Sequence, residues 1–195
     1  MSLREEKKAA TRRAISEAAA RLVLEDGIGA LTVARVSELG GVSPRTFHNY
    51  FADIDEALLE FLRAAFLEIA EQLAALPAEL SAAEAMERAI TESLNEDGFD
   101  LYSAATLVLL GEQAKTAARI PPAEETVREL TDPLVSSMRG RVPGATRFDA
   151  QVLLNAYGIA GGTAIKEYLA LPEPRDSSDG RALVRRAFEV LRDVR

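Results

Sequence analysis

The sequence predicts an all-α protein of about nine helices. Three observations predict this fold class: apolar residues recur every three or four positions along most of the chain, aliphatic residues and alanine dominate, and proline and glycine gather between the periodic segments. No segment has a convincing strand pattern. The 195 residues are enough for a hydrophobic core, in one domain or in two small ones.

The first predicted helix runs from about Glu5 to Glu25 and ends at Asp26 and Gly27. Its apolar residues are spaced by threes and fours, as expected for a helix with one buried face. They are Ile15, Ala18, Ala19, Leu22 and Val23.

Residues 31–51 carry two short helical patterns around a glycine turn. Thr32 can cap the first, and Gly40-Gly41 ends it because glycine accepts the backbone conformations that terminate a helix. Ser43 followed by Pro44 begins the second, with serine as N-cap and proline where its missing N–H costs nothing. This is the helix-turn-helix arrangement, whose second helix lies in the DNA major groove. An ordinary helical hairpin would show the same spacing.

Six further helices are predicted after residue 52, so we expect an N-terminal three-helix domain over residues 1–52 and a larger helical domain over 53–195. Asp53 with Glu56, and Ser81 with Glu84, have the spacing of capping boxes. Pro133 should kink or split the fourth of these helices. The six are expected over about 53–76, 81–94, 101–118, 122–141 and 148–171, and from 183 to the C-terminus.

The charge of the chain is unevenly distributed. The net charge is −8, but residues 1–51 hold 8 Lys and Arg against 6 Asp and Glu, and the remainder is strongly acidic. Exposed charges more than about 10 Å apart are largely screened at ordinary salt, so the local balance governs an encounter with phosphates. The asymmetry is compatible with a basic nucleic-acid-binding domain on an acidic body, but charge runs such as Lys7-Lys8 are usually solvated surface.

The side chains of the second short helix divide into two sets. Val42, Phe47 and Phe51 are spaced to point inward. Arginine can bind guanine and asparagine adenine through two hydrogen bonds each, while threonine, serine and tyrosine hydroxyls suit thymine methyl or phosphate contacts. The outward set is Pro44, Arg45, Thr46, His48, Asn49 and Tyr50, with Ser43 as a phosphate donor and Thr32 clamping a further phosphate. His48 could also be a surface residue without a role, and Tyr50 could serve packing alone.

The pattern over about residues 12–62 resembles that of TetR-family transcriptional regulators. The residues that carry the resemblance are Arg13, Ile15, Ala18, Ala19, Leu22, Gly27, Leu31, Thr32, Val33, Val36, Gly41, Val42, Ser43, Thr46, Phe47, Tyr50, Phe51, Ala57 and Leu58. The resemblance implies a homodimer that binds a palindromic DNA operator and a C-terminal domain that senses a small molecule. It implies DNA contacts at Thr32, Ser43, Pro44, Arg45, Thr46, His48, Asn49 and Tyr50.

Two positions depart from the family pattern. Ile54 stands where the family often has a lysine that binds a phosphate, and His48 stands where it usually has tyrosine or phenylalanine. We expect this chain to bind one phosphate fewer and to show a weaker salt dependence of binding. DNA binding itself should be retained.

The segment 148–171 is apolar on almost every side, so it must be buried on more than one face. Its glycines favour close helix approach at a dimer interface with the last helix, as the resemblance also implies, while a kinked core helix is the alternative. The candidate interface residues are Gly158, Gly161, Gly162, Leu183, Phe188 and Leu191. A two-fold dimer would place two DNA-binding units about 34–36 Å apart, one turn of DNA.

The helices between about residues 61 and 168 are expected to enclose a mostly apolar pocket for an apolar or aromatic effector. The polar candidates for lining it are Tyr102, Glu112, Gln113, Asn155 and Tyr157, each of which could instead be a core or surface residue.

No set of residues for catalysis, a metal or a cofactor is visible in the sequence. There is no cysteine, the single histidine lies in the helix-turn-helix, and no glycine-rich phosphate loop follows a strand. No apolar run approaches the roughly 20 residues that span a bilayer, and the first residues lack a secretory signal. Together with the resemblance, these absences lead us to expect a cytoplasmic, non-enzymatic DNA-binding regulator that acts as a repressor. The alternative is a helical small-molecule-binding or protein-interaction module whose helix-turn-helix no longer binds DNA.

Overall fold

Nine helices and one short strand pair make up the part of the chain that the computed structural model describes, namely residues 2–95, 98–116 and 123–193. The all-α prediction is confirmed. The helices are α1 (Leu3–Asp26), α2 (Val33–Leu39), α3 (Pro44–His48), α4 (Ile54–Ala75), α5 (Ala82–Glu92), α6 (Ala104–Thr116), α7 (Glu124–Gly140), α8 (Arg147–Leu169) and α9 (Ser177–Asp193). A single 3-10 turn, Ile28–Ala30, follows α1.

The chain divides into two compact units. Unit 1 comprises Met1–Ala64 and Leu110–Pro121, and unit 2 comprises Ala65–Leu109 and Pro122–Arg195. Helix α4 begins in unit 1 and ends in unit 2. A functional boundary after residue 52 therefore stays a prediction.

Local sequence signals determine where the short helices of unit 1 begin and end. The Thr32 hydroxyl accepts a hydrogen bond from the Arg35 N–H at 3.3 Å, and the Ser43 hydroxyl accepts one from the Thr46 N–H at 3.0 Å, so both predicted caps are confirmed. Gly41 has a φ of 66°, a conformation that side chains other than glycine rarely adopt. A Cβ at Gly40 would lie 3.0 Å from the Val36 carbonyl oxygen, so glycine also keeps this turn compact.

The core of unit 1 is built from one face of α1 and from the aromatic residues around α3 and α4. These side chains are almost completely removed from solvent, which is the main source of stability for such a small helical unit. The core residues include Ile15, Val23, Val36, Phe47, Phe51 and Phe61, each at most 2% exposed.

Unit 2 is organised around the pairing of α8 with α9. Gly161 and Gly162 let α8 approach its neighbours closely: a Cβ at Gly161 would lie 2.4 Å from the Ile90 Cδ1, and one at Gly162 would lie 3.0 Å from the Val108 Cγ1. The Tyr157 ring stacks on the Phe188 ring at 5.5 Å between centroids. These contacts belong to one hydrophobic core within the chain.

Three details of unit 2 differ from the sequence prediction. Leu94–Asn95 (β1) pairs with Gly98–Phe99 (β2) in an antiparallel hairpin where no strand was predicted, because two-residue strands carry no periodic pattern. Pro133 does not split α7, which continues through it. Helix α9 begins at Ser177, well before the predicted start near Leu183. The predicted helix start at Pro121-Pro122 lies outside the described residues.

Among the described residues, no helix is long and apolar enough to cross a membrane.

Candidate nucleic-acid interface

The polar side chains of α3 form an exposed surface. Pro44, Arg45, His48 and Asn49 are exposed, whereas Thr46 and Tyr50 are half-buried. Polar groups on a short helix with this exposure are free to contact base edges and phosphates without first unpacking from the core. The remaining predicted DNA contacts, Ser43 and Thr32, are exposed at the N-caps of α3 and α2.

The opposite side of α3 is anchored by aromatic packing. Phe47 is fully buried and lies 5.8 Å from the Phe51 ring, centroid to centroid. The His48 ring meets the Phe47 ring edge-on at 5.3 Å. Val42, the third residue predicted to point inward, is only half-buried. This packing fixes the orientation of the helix, and therefore the direction in which Arg45 and Asn49 project.

Arg12 ties α3 to the rest of unit 1, a role that the sequence did not reveal. Its guanidinium donates to the Glu60 carboxylate at 3.0 and 3.1 Å and to the Tyr50 carbonyl at 2.6 Å. It also lies 4.3 Å from the centre of the Phe51 ring, within cation–π distance. Arg12 is thus an internal brace and contributes little to the basic surface of the domain.

The ionisation of this brace follows from its hydrogen bonds. The hydrogen bond from Arg12 holds the pKa of Glu60 below its usual value, against a smaller opposing effect of burial. The bond to Glu60 likewise raises the pKa of Arg12. Both shifts favour the charged forms, so the pair is ionised at neutral pH.

The hydroxyl groups at the start of α3 contact each other. The Ser43 and Thr46 hydroxyl oxygens lie 2.9 Å apart, and the Ser43 oxygen also accepts from the Thr46 N–H. One hydroxyl hydrogen is therefore left to donate outward, for example to a phosphate oxygen. At the start of α2, Arg35 forms an ion pair with Asp26 at 2.5 Å, which neutralises another of the basic residues of this domain.

Ile54 is an interior residue at the start of α4, only 9% exposed. Its acidic neighbours serve the helix start: the Glu56 N–H donates to Asp53 at 2.8 Å, and the Glu56 carboxylate accepts from the Ala52 N–H at 2.7 Å. The predicted bond from the Glu56 N–H to Asp53 is therefore present, but the Glu56 carboxylate accepts from the Ala52 N–H instead of the Asp53 N–H. With Ile54 inside the core, this helix start offers no basic side chain at that position.

The five candidate effector residues have different environments. Tyr102 and Tyr157 belong to unit 2 and are half-buried, whereas Gln113, also half-buried, belongs to unit 1. Asn155 is exposed on α8 and accepts a hydrogen bond from Gln151 at 3.1 Å, so it lies on the surface and does not line an interior cavity. The Glu112 side chain lies outside the described residues. Burial raises the pKa of Tyr157, consistent with its packing on Phe188.

The residues predicted to form the dimer interface differ in their exposure. Gly161, Gly162 and Phe188 are buried within their own chain, so the prediction is corrected for them: the close approach that the glycines allow is made to helices of the same chain. Gly158, Leu183 and Leu191 are half-buried. The exposed stripe of α8 instead has a spacing of three and four residues and consists of Phe148, Val152, Asn155, Ile159 and Thr163.

Within the described ranges, no group of three or more acidic or histidine side chains could hold a metal ion.

Comparison with known proteins agrees with the helix-turn-helix assignment. Residues 15–61 match the family model described as bacterial regulatory proteins, tetR family. No curated protein matches the chain in sequence.

Solved structures share the fold over nearly the whole chain. A protein from Rhodococcus sp. assigned to the TetR family aligns with a TM-score of 0.61 and 19% identity, covering 92% of this chain and 97% of that one. The fatty acid degradation regulator FadR from Bacillus halodurans aligns with a TM-score of 0.62 and 14% identity, covering 94% and 95%. FadR from Bacillus subtilis, in complex with stearoyl-CoA, aligns with a TM-score of 0.59 and 16% identity, covering 92% and 96%.

The α2–α3 geometry and the family-model match over residues 15–61 indicate a DNA-binding transcriptional regulator, a non-enzymatic class of protein. In residues 15–61 the chain matches the TetR family of bacterial regulatory proteins, and it shares its fold with a solved structure assigned to that family.

Proposed function

We propose that this regulator is a cytoplasmic repressor that binds a palindromic operator as a homodimer and is released by a small molecule. The observation that carries the proposal is the exposed polar face of α3, with Arg45 and Asn49 projecting from a helix that the Ser43 cap and the Arg12 brace hold in place. A helix whose backbone is held in this way loses little backbone entropy on binding, which favours specific readout.

In this proposal Arg45 and Asn49 contact base edges, and the hydroxyls of Ser43, Thr46 and Tyr50 contact phosphates.

The remaining residues of the predicted interface have smaller roles. His48 and Pro44 contribute to the surface that enters the DNA major groove. Thr32, at the N-cap of α2, adds a phosphate contact beside the N–H groups of that helix start.

The exposed stripe of α8 supports a homodimer. Phe148 and Ile159 are 73% and 67% exposed, and Val152 is 47% exposed, an unusual concentration of apolar surface on one helix. A second copy of the chain would cover this stripe by a two-fold axis, with Val190 of α9 adding to the apolar contact. Two copies also supply the two DNA-binding units that a palindrome requires.

We assign the effector site to the helical body, with Tyr102 and Tyr157 as its polar contacts. FadR from Bacillus subtilis, which shares the fold, was crystallised with stearoyl-CoA. The apolar core of unit 2 favours an effector with a large apolar part. Binding would stabilise a conformation of the dimer in which the separation of the two helix-turn-helix units no longer matches the operator.

The test is selection of duplexes from a random-sequence library by the purified chain, followed by gel shift with the selected duplex. A two-fold symmetric selected sequence with half-sites about one helical turn apart is the expected result. Failure to retard any duplex at low salt would leave the helical small-molecule-binding module as the better function. Promoters adjacent to the gene provide a second, independent set of probes.

A further inference from the structure

The N-terminal turns of α1 present a basic face. Arg4, Lys7 and Lys8 are all exposed and lie three and four positions apart, so they share one side of the helix. Seven and fourteen residues beyond Lys8, the same side carries Ile15 and Leu22, which are at most 3% exposed. The face of α1 that packs into the core thus becomes basic where the helix extends beyond the core.

This basic face lies beside the polar face of α3. A groove of about 720 Å³ is lined by Arg4, Lys7 and Lys8 from α1 together with Thr46 from α3 and Asn49 and Tyr50 directly after it. A molecule that occupies the polar face of α3 therefore comes within reach of the α1 side chains.

The acidic residues of the same helix reduce this charge only in part, because residues 4–8 keep a net charge of +1. Glu6 points about 200° away from Arg4 around the helix axis, whereas Glu5 lies three positions before Lys8, about 60° from it. The Glu5 carboxylate accepts from the Ser2 N–H at 2.7 Å in the N-terminal capping box, so it is directed toward the start of the helix.

The charges of the face are also available to a partner. In the part of the chain that the structure describes, Arg4, Lys7 and Lys8 form no ion pair, whereas Arg12 and Arg35 are each paired with a carboxylate. The face further lies outside residues 15–61, where the family model matches. Three unpaired cations on a chain of net charge −8 are a local feature that an anionic partner would recognise.

We propose that Arg4, Lys7 and Lys8 bind backbone phosphates of the DNA duplex whose bases α3 contacts. This inference rests on the proposed function, and it adds a second contact surface on α1. A lysine ammonium is a point charge that pairs with phosphate without reading a base, so this surface supplies affinity and salt dependence but no sequence preference.

The experiment compares three variants on the duplex that the parent chain selects. Lys7→Ala/Lys8→Ala removes two charges from the face, and Lys7→Arg/Lys8→Arg retains them. Arg21→Ala is the control, since it removes one charge from an exposed position of the same helix, about 20 Å along its axis from Lys8. Dissociation constants are measured between about 50 and 200 mM salt.

We expect the double alanine variant to lower the slope of log K against log salt by about 1.8, or about 0.9 for each phosphate that it no longer neutralises. Its loss of affinity should therefore be about tenfold larger at 50 mM than at 200 mM salt. The arginine variant should keep the parent slope, Arg21→Ala should leave slope and affinity unchanged, and every variant should select the same sequence.

Two results would overturn the inference while leaving the proposed function intact. One is a parent chain that binds its selected duplex with a slope that Lys7→Ala/Lys8→Ala does not change. The other is a changed selected sequence, which would mean that the lysines read bases. If the parent chain binds no duplex, the proposed function and this inference fail together.

Discussion

The guanidinium of Arg12 and the carboxylate of Glu60 are joined by two parallel hydrogen bonds, at 3.0 and 3.1 Å. The same guanidinium donates to the Tyr50 carbonyl and covers the Phe51 ring. One side chain of α1 thus connects α4 with the chain segment that directly follows α3. The orientation of the proposed DNA-contacting face depends on a residue that does not itself face DNA.

Replacing Glu60 by glutamine should destabilise the chain in a pH-dependent way. The folded pKa of Glu60 is lowered below its ordinary value of 4.5 by the hydrogen bond from Arg12, so its ionisation stabilises the fold above pH 4.5. That contribution disappears as the pH falls through the folded pKa. The difference in melting temperature between the parent chain and Glu60→Gln should therefore be largest near neutral pH and should decrease as the pH is lowered below 4.5.

A solvent-exposed ion pair is the control for this measurement. Glu92→Gln removes the partner of Arg88 on the surface of α5, where an ion pair contributes about 0–1 kcal/mol. Its melting temperature should remain near that of the parent chain at neutral pH. A Glu60→Gln deficit that stays constant well below pH 4.5 would contradict the electrostatic account and indicate weakened packing.

Removing the cap of α3 should weaken both stability and DNA binding. Ser43→Ala deletes the acceptor for the Thr46 N–H, which costs about 1 kcal/mol in typical N-caps. Ser43→Asn retains a side-chain acceptor and should recover most of the stability measured by urea unfolding. Ser43→Asp should be as stable as Ser43→Asn, because it also retains an acceptor. If Ser43 contacts a phosphate, Ser43→Asp should bind DNA more weakly than Ser43→Asn, because its negative charge repels the DNA phosphates.

The beginnings of most helices could be predicted because they depend on adjacent residues. Thr32, Ser43 and Ser81 each accept a hydrogen bond from the N–H three residues on, as their spacing indicates. The inward position of Phe47 likewise follows from its place in a short amphipathic helix. Such signals require no knowledge of how distant segments pack.

The features that the sequence did not reveal all involve distant partners. Arg12 looked like one more basic residue because Glu60, 48 positions away, is its partner only in the folded chain. Gly161 was assigned to a dimer interface because its spacing indicates close approach without indicating which helix approaches. Asn155 resembled a pocket residue, and the exposed stripe to which it belongs emerged only from the burial of the opposite side of α8.

Arg45→Ala should reduce specific binding by about 1–3 kcal/mol and relax the selected sequence at one position in each half-site. Arg45→Lys keeps the charge but cannot form the bidentate hydrogen bonds with guanine. Relative to Arg45→Ala, it should restore non-specific affinity but not the base preference. Selection by both variants from the same random-sequence library measures the effect. An equal loss of affinity on all duplexes would identify Arg45 as a phosphate contact.

A charge in the exposed stripe of α8 should dissociate the proposed dimer. Ile159→Asp places a carboxylate where we expect a partner to cover the side chain, so sedimentation should give half the mass of the parent chain. Val127→Asp is the matched control, because Val127 is 43% exposed on α7 and does not belong to the stripe. A parent chain that is already monomeric at micromolar concentration, or a dimer that tolerates Ile159→Asp, would contradict the assignment of this surface.

The glycines of α8 should differ in their response to alanine, because only some of them are needed for close packing. Nothing lies within 4 Å of a Cβ added at Gly158, so Gly158→Ala should stabilise the chain by up to about 1 kcal/mol through its better helix propensity. Gly161→Ala should instead be destabilising, because its Cβ would lie 2.4 Å from the Ile90 Cδ1 and would force that side chain to move.

Ile90→Val removes the methyl group that would clash, at a typical cost of about 0.5–1.5 kcal/mol on its own. If the clash is the cause, the double variant Gly161→Ala/Ile90→Val should be less destabilised than the sum of the two single variants. Urea unfolding at one fixed protein concentration measures the difference, since the stability of a dimer depends on concentration. Strict additivity would mean that the contact with the Ile90 Cδ1 is not the cause of the destabilisation by Gly161→Ala.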